Sequence, residues 1–429
     1  MTDRRILVVG AGPAGLRAAI TLAQAGDHPV LVDHAPGIGG AVYATLRRSA
    51  HGKVAHAKEA LRLKADFDRL RPQIDLRCST SFTGLDPQGT ALLTGKAGLI
   101  FKPRAVILAT GARERVRPRP GWTLSGVSTA GALQIALKTA GNLPPNRVII
   151  AGSGALLYAI GAQLTRAGRP PVAILETGRP FHNAFQARTL PRVVLIEAAG
   201  YMARLIAAGV PILTGTDLTR ISREGDHLLA QTSRTGRWAT IRADHIALHD
   251  GLASNDYGLT APPPGLPVVR AGDCAQVLGR HAAEDSGRLA AQQVLAALHD
   301  SHTTSTLSPQ YAQAQTSLAR LFQRAPQLPE TTGLRDLPDD TVMCRCENRT
   351  LGDLRHAVLH ACEHGPATGR SLRLGERVGM GPCQGRQCLD WVAELSPHTA
   401  NFADLRGARW PLKPVRIRDI LAATDEAAN

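Results

Sequence analysis

The sequence predicts an α/β fold in which one doubly wound domain is inserted into another and a small helical module follows both. Three observations lead to this prediction. An apolar strand runs into a glycine-rich turn near the N-terminus, a similar strand meets a glycine pair in mid-chain, and four cysteines lie close together near the end. With 429 residues and 44% hydrophobic side chains, the chain has room for two or three domains with real cores.

The first glycine-rich turn has the residue order of a dinucleotide site. The run ILVVGAGPAG places Gly10, Gly12 and Gly15 between an apolar strand and a helix. The first glycine allows a tight turn, the second lets a pyrophosphate approach the backbone, and the third lets the helix pack on the strand. The next strand, HPVLVD, ends at Asp33, where a carboxylate can accept from ribose hydroxyls. The pattern favours a bound dinucleotide over a merely glycine-rich turn.

Two later strands end in turns of the same kind. KPRAVILATG ends at Thr110 and Gly111, a small-residue turn that can bring the backbone close to a cofactor. LPVVRAGDCAQ runs into Gly272 and Asp273 just before a helical stretch. An acid at that point can hold hydroxyls of a flavin or cap the helix, and its position favours the flavin.

The second glycine motif, in RVIIAGSGALLYAIGAQL, departs from the pattern. Gly152 and Gly154 follow an apolar strand, but Leu157 stands where the third small residue belongs. Close contact of helix and strand and access for a phosphate are therefore both in doubt. The following strand, VAILE, still ends in an acid, Glu176, so the topology is expected to survive. The sequence predicts an inserted nucleotide-type domain that does not bind NAD(P).

Four cysteines form two short arms, Cys344 and Cys346 in a C-x-C and Cys383 and Cys388 in a C-x4-C. Two thiolates per arm suit zinc or an iron-sulfur cluster. Because zinc arms are usually C-x2-4-C, a C-x-C arm favours a [2Fe-2S] cluster over structural zinc or unligated thiols.

The stretch between the two cysteine arms predicts a helix. Thr350 and Asp353 have the spacing of a capping box, and the pattern after them places Cys362 on the core-facing side rather than among the ligands. Together with Cys78 and Cys274, Cys362 does not suggest a disulfide framework.

The net charge of +15 comes mostly from scattered arginines, and aromatic residues make up only 4% of the chain. Nucleic-acid binding is therefore not expected, whereas an arginine-rich surface or docking to acidic partner subunits is. No apolar run approaches the roughly 18 residues that a spanning helix needs. The sequence predicts a cytoplasmic protein without a transmembrane segment, peripheral at the inner membrane only through partners.

The order ILVVGAGPAG, LATGARERVRPRPGW, AGDC, CRCE and GMGPCQGRQC resembles the alpha subunit of dye-linked amino-acid and opine dehydrogenases. This group includes hydroxyproline dehydrogenase and octopine and nopaline oxidases, with hydrogen cyanide synthase and sarcosine oxidase as more distant relatives. The resemblance implies a disulfide-reductase-like flavoprotein with two dinucleotide-binding domains and a C-terminal [2Fe-2S] domain similar to bacterioferritin-associated ferredoxin.

Carried onto this chain, the resemblance implies that FAD is held by Gly10, Gly12, Ala14, Gly15, Asp33, Gly40, Thr110, Gly111, Gly272 and Asp273. It implies that the cluster is held by Cys344, Cys346, Cys383 and Cys388. The expected domains are 1–115 with 251–300 for FAD, an inserted domain at 116–250, a linker with a short helix at 301–341, the cluster domain at 342–410 and a tail at 411–429.

The resemblance also implies a mechanism of electron relay. An FAD-containing beta subunit would oxidise a secondary-amine amino acid, such as hydroxyproline or an opine, and this chain would pass electrons to a quinone or dye. A small ferredoxin-like subunit is a further expected partner. No residue of this chain is nominated as catalytic. Two alternatives stay open: a stand-alone NAD(P)H-dependent reductase with FAD and [2Fe-2S], and a non-redox scaffold with zinc at the cysteines.

Overall fold

The computed structural model describes residues 5–47, 57–234, 236–256, 259, 263–299, 307–323, 334–363, 365, 368–395, 411–412 and 414–428. The strands are β1 (Ile6–Val9), β2 (Val30–Val32), β3 (Asp75–Arg77), β4 (Thr80–Leu85), β5 (Ala91–Gly95), β6 (Leu99–Phe101), β7 (Ala105–Leu108), β8 (Ala112–Glu114), β9 (Val127–Thr129), β10 (Val148–Gly152), β11 (Ala173–Glu176), β12 (Ile212–Thr214), β13 (Thr216–Glu224), β14 (His227–Arg234), β15 (Arg237–Ala243), β16 (His245–His249), β17 (Leu252–Ser254), β18 (Val268–Arg270), β19 (Val342–Cys344) and β20 (Arg349–Thr350).

The helices are α1 (Pro13–Gln24), α2 (Ala57–Leu70), α3 (Ala130–Ala140), α4 (Ala155–Arg166), α5 (Arg192–Ala207), α6 (Arg280–Leu298), α7 (Pro309–Leu321), α8 (Leu351–Cys362), α9 (Gly369–Glu376), α10 (Leu389–Glu394) and α11 (Ile417–Ala428). The chain divides into two compact units. The first comprises Met1–Arg113, Ala253–Tyr311 and Gly407–Asn429, and the second comprises Glu114–Leu252 and Ala312–Arg406.

The first unit is built on a parallel sheet with the strand order β18-β7-β1-β2-β3. Every residue of β1 and of β7 is buried, as expected for strands covered on both faces. Helices α1 and α6 pack against each other beside this sheet. The antiparallel strands β4, β5 and β6 form a second, smaller sheet. The predicted doubly wound domain is present.

The segment expected to be a C-terminal tail contains a helix. Helix α11 contacts β5 and β6 of the first unit, and its Ala423 is fully buried. Contact is close because Gly98 has no side chain: a Cβ there would lie 3.2 Å from Cβ of Ala423. Just before the helix, Leu412 donates its backbone N–H to the Thr83 carbonyl at 2.8 Å. The tail therefore completes the first unit.

The second unit repeats the parallel arrangement with the strand order β12-β11-β10-β16-β9. Strand β10 leads through the second glycine motif into α4, so the topology survives the Leu157 departure, as predicted. The antiparallel strands β13, β14 and β15 form a separate sheet in this unit.

The cysteine arms lie in a module of β19, β20, α8, α9 and α10. The predicted capping box is present, since the Asp353 N–H donates to Thr350 Oγ1 at 3.2 Å and the Thr350 N–H donates to Asp353 Oδ2 at 2.9 Å. The prediction that Cys362 packs in the core is wrong, because its side chain is exposed. Leu359 in the same turn is 68% exposed, so the last turn of α8 projects beyond the core.

Helix α7 lies within the stretch predicted to be a linker, while residues 301–306 and 324–333 of that stretch fall outside the described residues. None of the helices that the structure describes combines the length and the apolar character needed to cross a membrane.

Candidate cofactor sites

The first glycine loop packs tightly on one side. Gly10 has a φ of +105°, and a Cβ there would lie 2.4 Å from the Ala109 carbonyl oxygen. A Cβ on Gly15 would lie 1.7 Å from the Gly10 carbonyl oxygen, which is impossible without moving the helix. The two positions therefore need glycine so that α1 can sit directly on the sheet.

The same loop is open at its middle glycine. A Cβ on Gly12 would have only the Gly40 Cα within 4 Å, at 3.9 Å. Gly40, with a φ of +58°, would itself place a Cβ 2.9 Å from the Gly12 Cα, so the two glycine turns touch. Gly12 caps the N-terminus of α1, where free N–H groups attract phosphate. The backbone thus has the open cradle that a pyrophosphate of FAD requires.

Asp33 holds this loop in place. Its Oδ2 accepts from the Ala11 N–H at 2.6 Å and its Oδ1 accepts from the Ala35 N–H at 2.8 Å. The residue is only 6% exposed. Each carboxylate oxygen keeps a second lone pair, so the contact to ribose predicted from the sequence remains available.

The remaining predicted FAD residues surround the same end of the sheet. Gly272 lies against Ala14, since a Cβ on Gly272 would be 2.8 Å from that of Ala14. The Thr110 hydroxyl donates to the Asn255 carbonyl and lies 3.2 Å from the Cys274 sulfur. Gly111 has a φ of +71°, and a Cβ at this position would have no atom within 4 Å.

Asp273 orders the turn that leads into α6. Its Oδ1 accepts from the N–H groups of Leu278 at 3.0 Å and Gly279 at 2.9 Å. Burial raises the pKa of this carboxyl group. Asp273 does not cap α6, whose N-cap is Gly279, and its contact to FAD stays a prediction.

The second glycine loop is closed by its own acid. Glu176 Oε2 accepts from the Gly154 N–H at 2.9 Å, and Oε1 accepts from the Gly178 N–H at 2.8 Å. The side chain is 0% exposed, and this burial raises the pKa of Glu176 to about 7 although the two N–H groups act in the opposite direction.

The end of α7 covers this second loop. Ser153 Oγ donates to the Phe322 carbonyl at 3.2 Å, and a Cβ on Gly178 would lie 2.8 Å from the same oxygen. The Phe322 ring lies 5.9 Å from that of Tyr158. No sequence signal identified this cover, because Ser153 and Phe322 are 169 residues apart.

Leu157 itself is fully buried in the core beneath the loop. The failure of this domain to bind NAD(P) stays a prediction, and the covering segment adds a physical reason for it.

The four predicted cluster cysteines are brought together as two pairs. The Cys344 thiol is hydrogen-bonded to that of Cys388, and Cys346 is hydrogen-bonded to Cys383. The Cys388 thiol interacts electrostatically with the other three. Cys344 and Cys388 are buried, Cys346 is exposed and Cys383 is half-buried. The site therefore has one buried pair and one pair that reaches the surface.

Nearby backbone N–H groups donate hydrogen bonds to the Cys344 sulfur. The bond from Cys388, with help from the N–H groups of Gly379, Glu347 and Cys346, lowers the pKa of Cys344 to about 6. Sharing that proton and burial raise the pKa of Cys388. A glycine is needed at Gly381, where a Cβ would lie 2.3 Å from Cβ of Cys346.

Within the described part of the chain, no three His, Cys, Asp or Glu side chains are arranged to hold one metal ion. The donors are two pairs of sulfur atoms. A [2Fe-2S] cluster takes two cysteines on each of two irons, so the donor set fits this group.

The cysteine module rests on the inserted domain within the second unit. The Trp122 indole N–H donates to the Val342 carbonyl at 2.7 Å. The Arg115 guanidinium lies 4.7 Å from the centre of the Trp391 ring, and its Nε is 3.8 Å from Asp390 Oδ2. Val342 and Asp390 are each two residues from a predicted cluster ligand. Trp122 of the inserted domain and Arg115, which lies in the same unit although the sequence boundary assigned it to the FAD domain, thus support both cysteine arms, and sequence reasoning missed these contacts.

Comparisons with known proteins agree with this architecture. Residues 4–275 match the family described as pyridine nucleotide-disulphide oxidoreductase. The chain is 31% identical to the A subunit of opine oxidase from Agrobacterium tumefaciens (strain Ach5), covering 97% of this chain and 91% of the relative. It is 28% identical to hydrogen cyanide synthase subunit HcnB of Pseudomonas aeruginosa, covering 96% and 97%.

Solved structures give the same fold. The L-proline dehydrogenase from P. horikoshii has a TM-score of 0.61 at 16% identity, covering 97% of this chain and 79% of that one. Thioredoxin reductase of T. acidophilum has a TM-score of 0.50 at 17% identity, covering 68% of this chain and 98% of that one. At these identities the likeness concerns the fold.

Proposed function

The chain belongs to the pyridine nucleotide-disulphide oxidoreductase family, which matches residues 4–275, and we propose that it is the flavin and iron-sulfur subunit of a multi-subunit dehydrogenase. The complex oxidises a secondary-amine amino acid, such as hydroxyproline or an opine. The observation that carries the proposal is a set of two thiol pairs in a chain that matches the A subunit of opine oxidase over almost its whole length.

The residues divide the work. The loop of Gly10, Gly12 and Gly15 and the N-terminus of α1 bind the pyrophosphate of FAD, while Asp33 fixes the loop and faces the ribose. Cys344, Cys346, Cys383 and Cys388 bind the [2Fe-2S] cluster. When bound, FAD supplies a two-electron acceptor and the cluster a one-electron carrier.

The partners follow from the same division. An FAD-containing beta subunit binds the amine and takes a hydride from the carbon next to the nitrogen, and the N–H proton leaves, so that an imine forms. A small ferredoxin-like subunit completes the assembly, and a quinone or dye accepts the electrons. The surface position of Cys346 supports electron exit there, since electrons must leave the protein near an exposed edge.

The geometry of the second glycine loop is unfavourable for a stand-alone NAD(P)H reductase. That function needs a nicotinamide nucleotide at the second glycine loop, where Gly178 and Ser153 are in contact with the Phe322 carbonyl. The scaffold alternative needs zinc, whose arms are usually C-x2-4-C, so the C-x-C spacing of Cys344 and Cys346 is unusual for it.

Reciprocal variants test the assignment. The purified full chain is expected to carry FAD and about two irons. Cys383→Ser should lose the iron and keep FAD, and Gly12→Ala should lose FAD and keep the iron, because its Cβ enters the open space of the loop. Flavin absorbance, iron and acid-labile sulfide are measured on both. Stoichiometric zinc without sulfide, or loss of both groups in both variants, would contradict the proposal.

The activity is tested by reconstitution. Addition of the beta subunit is expected to support dye reduction by hydroxyproline or an opine, whereas neither NADH nor the amino acid alone should bleach the flavin of the isolated chain. Assembly should weaken as salt rises, because this chain carries a net positive charge. Prompt bleaching by NADH in stopped flow would assign the reductase function instead.

A further inference from the structure

Helix α5 is apolar along its whole length, yet it lies on the surface of the second unit. Three of its 16 residues are charged: Arg192, Glu197 and Arg204. Leu205 is the one residue of the helix that is fully buried, whereas Ile196 and Ile206 are 72% and 68% exposed. A helix that is apolar on all sides normally lies inside a protein. The exposed side of α5 therefore indicates an interaction surface.

The inner side of α5 packs on α4. Leu205 belongs to the core of this unit, and Gly161 of α4 lies so close that a Cβ there would be 3.2 Å from Leu205 Cδ2. Tyr201 and Met202 pack partly against the same core. Because an α-helix turns once every 3.6 residues, an outer face is directed away from this core. The outer face consists of five exposed residues: Val193, Ile196, Gly200, Ala203 and Ala207.

The outer face has a projection in its first half and a groove in its second half. Ile196 is the largest and most exposed side chain of the first half. The groove has a volume of about 500 Å³ and is lined by Thr165 of α4 and by five residues of α5 and its end: Gly200, Ala203, Arg204, Ala207 and Ala208. Because most of these residues are small, the groove can accept a branched apolar side chain.

The described part of the chain does not itself need a glycine at Gly200. A Cβ at this position would meet no atom within 4 Å, and the residue does not have a positive φ. Glycine inside a helix costs about 1 kcal/mol relative to alanine. Since the missing side chain makes room for nothing within this chain, it indicates that a second backbone approaches α5 at this point.

Two copies of α5 fit each other when they run antiparallel about a twofold axis beside Gly200. Residues at equal distances before and after the axis then face each other. Ile196 precedes the axis by about as much as the gap between Ala203 and Ala207 follows it, so Ile196 of each copy enters the groove of the other. The outer face is therefore complementary to itself in shape.

The two flanks of the outer face match in the same register. Glu197 and Arg204 are seven residues apart, or about two helical turns, so they lie on one flank and on opposite sides of the axis. Each Glu197 then faces Arg204 of the second copy. On the other flank, Leu195 and Ile206 are exposed and have the same relation. One acid and one base at matching positions favour a second copy over an acidic partner, which Glu197 would repel.

We propose that this chain forms a twofold dimer through the outer face of α5, with two antiparallel helices that are closest at Gly200. Burial of Leu195, Ile196 and Ile206 drives the association, and the paired charges of Glu197 and Arg204 fix the direction of the helices. The interface uses no residue proposed to hold FAD or the cluster, so the dimer does not depend on the proposed function.

The test measures the mass of the purified full chain by sedimentation equilibrium over a range of concentrations. The unchanged chain is expected to be a dimer. Ile196→Glu should weaken dimerisation at least about tenfold, because a carboxylate would enter each apolar groove. Gly200→Leu should do the same and keep the circular dichroism of the folded chain, since its side chain meets nothing within its own copy. Ile417→Glu is the matched control, because Ile417 is 77% exposed but lies on α11.

Charge reversal tests the register of the two helices. Glu197→Arg and Arg204→Glu should each weaken the dimer severalfold, because like charges would face each other, and the double variant should regain the affinity of the unchanged chain. A monomer at every concentration, a dimer that survives Ile196→Glu and Gly200→Leu, or a double charge variant that stays weak would overturn the proposal. So would binding of a monomer, through Ile196, to the beta subunit or to vesicles of phosphatidylglycerol and phosphatidylethanolamine.

Discussion

The two glycine loops of this chain use one backbone design and reach opposite results. In both, a strand enters a tight glycine turn, a helix follows, and the acid at the end of the next strand accepts from a loop N–H: Asp33 from Ala11, and Glu176 from Gly154. The first loop remains open at Gly12, whereas the second is covered by the Phe322 carbonyl.

The glycine pattern therefore specifies a turn, and the residues packed around that turn decide which ligand it can bind. At the third position, Gly15 lets α1 lie on the Gly10 carbonyl, while Leu157 is buried and fills core space. The second loop has thus become part of the packing of its own unit.

The largest effect is expected from giving the first loop the residue of the second. Gly15→Leu should prevent folding of the first unit, because even a Cβ would lie 1.7 Å from the Gly10 carbonyl oxygen. Soluble yield and circular dichroism measure this. Gly200→Leu is the control, since nothing lies within 4 Å of a Cβ there. A folded Gly15→Leu protein with normal FAD content would refute the comparison.

The converse change should have a smaller effect, but it should still destabilise the protein. Leu157→Gly is expected to lower the free energy of unfolding by about 4 kcal/mol, through the cavity it leaves and the glycine it places in α4. It should not create NADH binding, because Phe322 still covers the loop. Denaturant unfolding and NADH titration check both parts, with Leu156→Gly, a half-buried neighbour, as the control. Tight NADH binding by the variant would show that Leu157 alone prevents NADH from binding at the second loop.

Because Glu176 is buried, we expect the free energy of unfolding to depend on pH. Burial raises the pKa of Glu176 from 4.5 to about 7, so its contribution to stability is fully present below about pH 4.5 and is lost as the pH rises through about 7. The loss is on the order of 3 kcal/mol. Glu176→Gln should flatten this part of the stability profile, measured by denaturant unfolding between pH 4.5 and 8. Glu224→Gln, at an exposed ion pair, should leave the slope unchanged.

The sequence was a good guide wherever a local pattern determines the backbone. Strand, glycine turn and helix around Gly10 were predictable because Gly10 and Gly15 each meet a steric need, at a neighbouring strand and within a few residues respectively. The capping box at Thr350 was predictable for the same reason, since both of its hydrogen bonds span three residues.

The remaining features depend on contacts between distant parts of the chain. The Phe322 carbonyl reaches Ser153 across 169 residues, and the Trp122 indole reaches Val342 across 220. Cys362 had a core-facing spacing but sits where the module core has ended. Periodicity gives the face of a helix, but it does not tell whether another element is present to cover that face.

The position of α11 has a consequence for the synthesis of the protein. The first unit begins with β1 and still needs α11 and Leu412 against β4, β5 and β6. The ribosome must therefore have released residues up to about the end of α11 before this unit can close. Until then the nascent chain exposes the apolar surface that Ala423 later covers. Chaperone contact is expected to persist until α11 has emerged.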